Sequence, residues 1–573
     1  MLPEKTKEAI KKAIFDGFGI DEEDYKSWTM KRYPVDKEVL SRFQELIKGA
    51  DKIRIYGDYD CDGITASYIM SELVSDLTKK EAIVKIPGRF SDGYGISEKS
   101  IDRFYEEDKN DIKAGKNVLI ITVDNGIAAY DAIKKAKDYG YSVLLTDHHE
   151  LGENTLPPAD LLIDPKVDGI NPFEFNDYCG AGIAAKLYKE IFYDTSLREK
   201  TRTISVYSSI ATIADHVSLT EDNYITVRSS MERLRNGLIS ASLSFLGDKN
   251  NVDWGKISVN SLSFDVIPLL NAPGRLSDDG GQRVFSYLKN PDPETAELIF
   301  EENEERKKQR ADAVKEAEAS FDKTKVKEGF LTPQFIYVPD TAPGIIGLSA
   351  ASIVDKHKEP CILLSDKEGP LRGSGRSVNG FDLFSYLLSV KASHPEWFLE
   401  LGGHEGACGM TMNKEYLSDI LAFSKDFPVR EEEKKERPSI PIREEDVPDA
   451  FSYVDSFYPV PEDAQPYFTV HVRKNEKGLY FYNNGSFYLP RKDYRIESWN
   501  RYVPETDIMV LTGPIKIDGF RGKPVPVLKA KTAEEYHPIE RDIVKEDVRK
   551  NKEEADNEFH APLEDGTPDY SAD

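Results

Sequence analysis

The chain has 573 residues, and at about 150 residues per domain this length calls for roughly three to four domains, which excludes a mini-protein. A net charge of -26, from 76 Lys and Arg against 102 Asp and Glu, with 39% hydrophobic and 10% aromatic residues, describes an acidic, multidomain globular chain rather than one unfolded throughout. That charge argues against a generic nucleic-acid coat but not against a nuclease, whose site can hold cations that offset its own carboxylates. Cys61, Cys179, Cys361 and Cys408 form no C-x-x-C pair, so neither a disulfide framework nor a thiolate zinc site is expected, and a cytoplasmic location fits. The opening MLPEKTKEAIKKAIFDG is charged and amphipathic, and no apolar run approaches the ~20 residues of a membrane span, so export and membrane insertion are not expected.

Residues 1 to 50 read as short helices with charged faces. From residue 51 the character changes. Apolar runs at Lys52 to Tyr56, Ala82 to Ile86, Asn117 to Val123, Ser142 to Leu145 and Asp160 to Ile163 alternate with helical patterns at Thr65 to Leu77 and Ala128 to Tyr139. This alternation predicts βαβ units and an α/β fold with a mostly parallel sheet, over 51–290. Residues 291–330 are charged on most faces and predict a solvated connector helix between two lobes. A second α/β unit is expected over 331–430, with strands at Gln334 to Val338 and Pro360 to Leu364 flanking a helix at Gly347 to His357. After a charged linker, alternating segments in 440–535 (FTVHVR, DIMVLTG, PVPVLKA) suggest a small β-barrel. The last 38 residues carry twelve acids against five Lys or Arg and predict an acidic disordered tail over 536–573.

Carboxylates and imidazoles gather just after the strands, where open α/β sheets bind ligands. Gly57-Asp58-Tyr59-Asp60-Cys61-Asp62-Gly63 follows the strand KIRIY and opens a helix. Three carboxylates this close repel one another unless cations are present, although helix-capping aspartates in a solvated turn are the plainer alternative. The strand NVLIITV ends in Asp124-Asn125-Gly126, and YSVLL ends in Thr146-Asp147-His148-His149. Each motif alone is weak; three successive strands delivering carboxylate, carboxylate and imidazole to one edge are specific. Such mixed O and N ligands suit Mn²⁺, or Mg²⁺ with water, and a shared carboxylate can hold two ions about 3.5–4 Å apart.

GDYDCDG, VDNGI, TDHH and Asp215 in IATIADHVSL, in this order, resemble the motifs of the DHH phosphoesterase family. GRFSDGYG (88–95), YCGAGIAAKL (178–187), LNAPGRL (270–276), APGIIGLSAASIV (342–354), GSGRSVNGFDL (373–383) and GGHEGACGMT (402–411) narrow the resemblance to the RecJ-like single-strand exonucleases. The last three resemble the DHH-associated domain. The likeness implies a metal-dependent enzyme that hydrolyses single-stranded DNA from the 5′ end, in DNA repair and recombination. It implies two divalent ions, one on Asp60 and Asp124 and one on Asp62, Asp124, His148 and Asp215. Many relatives have a His where this chain has Tyr56, so Asp58 or water is expected to complete the first site. His149 would contact the scissile phosphate and Asp147 would orient its neighbours. Arg89, Arg275 and Arg376 would hold the strand, with Ser374 and His404 lining the cleft from the second lobe; for any one Arg a surface ion pair is the alternative.

The block over 440–535 resembles the oligonucleotide-binding barrel of RecJ-like proteins. Tyr480, Phe481, Tyr482, Phe487 and Tyr488, beside Arg491 and Lys492, suit base stacking on a basic groove, or else form the barrel core. Single-stranded DNA is the expected partner, with a single-strand-binding protein or a helicase as a further candidate and no membrane. Two rivals stand beside the exonuclease: a DHH phosphoesterase of short oligonucleotides or cyclic dinucleotides, and a non-catalytic replication scaffold of the same fold.

Overall fold

A computed structural model describes residues 2–93, 95–152, 155–327, 329–367, 369–428, 438–461, 464–473, 479–481, 486–498, 503, 507–518 and 525–535. The acidic tail, Tyr482 and residues 429–437 of the charged linker lie outside the described residues. The chain forms two compact units, Asp21–Lys435 and a second that joins Met1–Ile20 to the residues from Glu436 onward.

In the larger unit β1 (Lys52–Tyr56), α1 (Cys61–Thr78), β2 (Ile83–Lys85), α2 (Glu98–Lys113), β3 (Val118–Val123), α3 (Tyr130–Asp138), β4 (Ser142–Thr146) and β5 (Leu161–Ile163) follow in turn. The five strands pair in parallel in the order β2-β1-β3-β4-β5. Every residue of β3 is buried, which is why VLIITV is a continuous apolar run rather than an alternating one. A helical layer follows, including α4 (Gly180–Phe192), α5 (Arg198–Ala214), α6 (Ile267–Leu276) and α7 (Gly280–Lys289).

The connector is helix α8 (Pro293–Ser320), begun by Asp292, whose side chain accepts the Thr295 N–H, and by Pro293 in its first turn. It is not solvated all round. Ala296, Ile299, Asn303, Arg306, Ala313 and Ala317 are buried, a stripe at helical spacing built mostly from small and polar residues, which is why the composition concealed it.

The second lobe of this unit contains β6 (Gln334–Tyr337), α9 (Pro343–His357), β7 (Cys361–Ser365), β8 (Leu371–Arg376), β9 (Phe398–His404) and β10 (Ala407–Met412). Its sheet order is β9-β10-β8-β7-β6, with only β6 and β7 parallel. The Gly-rich motifs GSGRS and GGHEGACG are therefore the ends of β8 and the β9–β10 hairpin.

In the smaller unit the helix Glu4–Phe18 belongs with the C-terminal block, and Phe15 packs edge-on against Phe457 at 5.8 Å. The described strands form two sheets, one of four strands and one of five, and no closed barrel is found among them. Phe487 is wholly buried, whereas Tyr480 and Phe481 are exposed, so the aromatics divide between core and surface. Arg491 is paired with Glu444 at 2.6 Å. No helix among the described residues is long and apolar enough to cross a membrane.

Candidate active site

The donors converge at the carboxyl end of the first sheet. Asp58 and Asp60 follow β1, Asp62 lies in the first turn of α1, Asp124 follows β3, Asp147, His148 and His149 follow β4, and Asp215 ends α5. Three groups of potential ligand atoms, each within 4.8 Å of one another, comprise Asp58, Asp60 and Asp124; Asp62, His148 and Asp215; and Asp124, His148 and His149. Asp124 belongs to two of the three.

Asp60 is indeed a helix cap, accepting the Asp62 and Gly63 N–H groups at 3.0 Å through one oxygen, and it is also a member of the donor group. Asp62 is fixed differently. Its two oxygens accept the N–H groups of Gly180 (2.7 Å) and Ala181 (2.8 Å), so the amino end of α4 holds this carboxylate. Gly180 is required there, because a Cβ would lie 2.5 Å from the Asp124 side chain. Asp124 adopts a left-handed backbone at φ 60°, and its N–H is tied to the Thr146 carbonyl at 3.1 Å.

His148 Nε2 lies 3.0 Å from Asp124 Oδ1 and 3.7 Å from both Asp62 Oδ2 and Asp215 Oδ2. Yet both ring nitrogens of His148, together with Asp58 Oδ1 and Asp124 Oδ1, are buried without a hydrogen bond. Buried polar atoms are ordinarily satisfied, so a converging set of orphaned oxygen and nitrogen donors fits divalent cations. Protonation tells the same story. Burial, then Asp62 and Asp60, push Asp215 up to about 8; burial, then the neighbouring aspartates, raise Asp124 well above the usual carboxylate range. Burial and Asp60 do the same to Asp58, and burial lowers His148, leaving its imidazole neutral.

Asp147 and His149 form a separate pair. Asp147 Oδ1 meets His149 Nδ1 at 2.7 Å and accepts the His148 N–H at 2.8 Å, while Oδ2 accepts the Ile127 N–H at 2.8 Å. Burial opposes the charge on His149, but the bond to Asp147 outweighs it and raises the imidazole to about 9. At neutral pH His149 is a cation beside the donor cluster. The Tyr56 hydroxyl, by contrast, is turned into the core, toward the Gly95 carbonyl (3.3 Å) and Ser100 Oγ (3.2 Å), and Asp58 joins the donor group in its stead.

Cations from both lobes face one another. Burial first, then Arg89, Arg306 and Arg376, lower Arg275 to about 9. Arg275 donates to the Gly344 carbonyl at the start of α9 (3.4 Å), and Arg376 donates to Ser374 Oγ at 3.2 Å. Gly347 of α9 leaves room for them, since a Cβ would lie 2.9 Å from both Arg376 Nη2 and Ser374 Oγ. His404 is exposed at the end of β9, paired with Ala407, which is paired in turn with Arg376. Two further residues join the site without a motif of their own to mark them: Asn271, whose Oδ1 accepts the Cys61 N–H at 2.9 Å, and Arg306, buried on α8; only their places in LNAPGRL and the connector point to them.

An open parallel sheet with this donor set at its carboxyl edge lies within residues 52–214, which match the DHH family, N-terminal domain. The chain's relatives are more particular: it is 31% identical over 415 residues to the single-stranded-DNA-specific exonuclease RecJ of Bacillus subtilis (strain 168), covering 72% of this chain and 50% of that protein. It is 29% identical over 398 residues to the protein of the same name from Escherichia coli (strain K12), covering 66% of this chain and 67% of that one. The chain thus spans only about half the length of the Bacillus relative. Among solved structures, RecJ in complex with Mn²⁺ from Thermus thermophilus shares the fold, with a TM-score of 0.69 and 19% identity, covering 94% of this chain and 79% of that one.

Proposed function

We propose that the chain is a metal-dependent exonuclease that hydrolyses single-stranded DNA from its 5′ end, serving DNA repair and recombination. The carrying observation is that orphaned buried donors from three strand ends (Asp58, Asp124 and His148) converge with Asp62 and Asp215 from two helices, opposite arginines from both lobes. The relatives bear the name of a single-stranded-DNA-specific exonuclease, and solved structures of the shared fold contain Mn²⁺ or Mg²⁺.

Asp58, Asp60 and Asp124 would hold one Mn²⁺ or Mg²⁺, and Asp62, Asp124, His148 and Asp215 the other. When bound, two such ions lower the pKa of a water and offset the charge on the phosphate. The side chains do the rest. Asp147 fixes the His149 ring, and cationic His149 meets a non-bridging oxygen of the scissile phosphate. Arg89, Arg275 and Arg376 with Ser374 grip the strand, and His404 borders the cleft. The working divisions are the DHH domain (51–290), connector (291–330), DHH-associated domain (331–430) and an oligonucleotide-binding, barrel-like block (440–535). In that block exposed Tyr480 and Phe481 offer stacking faces. A single-strand-binding protein or a helicase, which presents unpaired DNA, is the class of partner such a substrate calls for.

The test is cleavage and binding across strand lengths in Mn²⁺. Long single strands are expected to outcompete trinucleotides and duplex, with binding falling by a log–log slope of about -0.7 per phosphate contact as salt rises. Preference for cyclic dinucleotides or the shortest strands would favour a small-substrate phosphoesterase instead.

A further inference from the structure

Arg89 sits in the irregular segment between β2 and α2, where no helix or strand sets the direction of its side chain. Something else must. Its guanidinium carbon lies 4.0 Å above the centre of the Tyr59 ring, and its Nε is buried without a hydrogen-bond partner. Tyr59 stands between the donors Asp58 and Asp60. Its backbone is closely packed, since a Cβ on Gly274 would lie 2.9 Å from the Tyr59 carbonyl oxygen.

The backbone of the Arg89 segment is held from the other side by Asp278, just beyond α6. Asp278 Oδ1 accepts the N–H groups of Phe90 (2.8 Å) and Ser91 (3.2 Å), and a Cβ on Gly88 would lie 2.6 Å from the same oxygen. Oδ1 is thus engaged by two amides, and no ion pair to Arg89 is found among the described residues. A carboxylate paired directly with Arg89 would cancel the charge a phosphate needs; one that holds the adjacent amides aims the guanidinium and leaves its charge available. Arg372, on β8, adds a contact to the Phe90 carbonyl at 3.4 Å.

We propose that Asp278 and Tyr59 are positioning residues, which hold Arg89 for a backbone phosphate of the bound strand; this rests on the exonuclease reading. The same short segment, 275–278, then supplies one strand-binding arginine directly and aims a second.

The experiment measures KM and kcat of the full chain in Mn²⁺ on an end-labelled single strand, with dissociation constants in chelator. Asp278→Ala and Tyr59→Leu are each expected to raise KM about tenfold with a smaller change in kcat. Asp278→Asn, which retains the acceptor oxygen, and Tyr59→Phe, which retains the ring face, should restore most of the loss. Added to Arg89→Ala, Asp278→Ala should cost little more, because its effect passes through Arg89. The Mn²⁺-induced rise in melting temperature should persist in every variant and certifies the fold. Wild-type KM in both Asp278→Ala and Tyr59→Leu, or full additivity with Arg89→Ala, overturns the proposal. A wild-type chain that neither binds nor cleaves single strands overturns the exonuclease reading itself, and the positioning role with it.

Discussion

Asp124→Asn separates the chemistry of the site from its architecture. Asn is an isostere of protonated Asp, the form that burial and the surrounding aspartates favour in the metal-free chain, and Asn tolerates the left-handed backbone at φ 60°. The metal-free fold should therefore keep its stability, or gain about 1 kcal/mol as carboxylate repulsion is relieved. The metal-bound state should suffer, because Asp124 belongs to two of the three donor groups. An ion at a hundred times its dissociation constant stabilises the native chain by about 2.7 kcal/mol, or roughly 5–10 °C in melting temperature for a domain of this size. Most of that increment should vanish, and hydrolysis should fall by at least about a thousandfold, or ~4 kcal/mol. Calorimetry with and without Mn²⁺ and turnover on single strands read both effects. A folded Asp124→Asn protein that retains the Mn²⁺ increment and near-normal turnover would refute the shared-ligand assignment.

Gly180→Ala places a Cβ 2.5 Å from the Asp124 side chain, so a loss of about 1–3 kcal/mol in stability and of most of the Mn²⁺ increment is expected by thermal unfolding. The metal-free chain should lose stability as pH rises from about 4 through about 8. Asp215 titrates near 8 when folded and near 3.9 when unfolded, so the native state binds more protons across that window; Mn²⁺, which needs the deprotonated ligands, should reduce or reverse the trend. Removing residues 1–20 together with 436–573, the two parts of the smaller unit, should weaken binding of long strands much more than cleavage of trinucleotides. Equal losses on both substrates would argue against a strand-holding role.

The parallel sheet was legible because its strands are short continuous apolar runs bounded by Gly and Asp, and the observed strands differ from those runs by a residue or two at the ends. The antiparallel strands of the second lobe were not legible, since GSGRS and GGHEGACG lack the β-branched side chains that mark a strand. The membership of Glu4–Phe18 in the C-terminal unit depends on contacts such as Phe15 with Phe457, which no local pattern encodes. The same division runs through the site. Donor types and strand-end positions could be read directly, whereas Asn271 reaching Cys61, Asp278 reaching Phe90 and the α4 amides reaching Asp62 join residues more than a hundred positions apart.

The most direct measurement uses purified full chain on single strands labelled at the 5′ or the 3′ end, with Mn²⁺ or with chelator. Rapid loss of the 5′ label as mononucleotide, progressive shortening of the 3′-labelled strand and silence in chelator are the expected results. Cleavage that persists in chelator, or strands left intact while cyclic dinucleotides are hydrolysed, would contradict a metal-dependent 5′ exonuclease built on the Asp58 to Asp215 cluster.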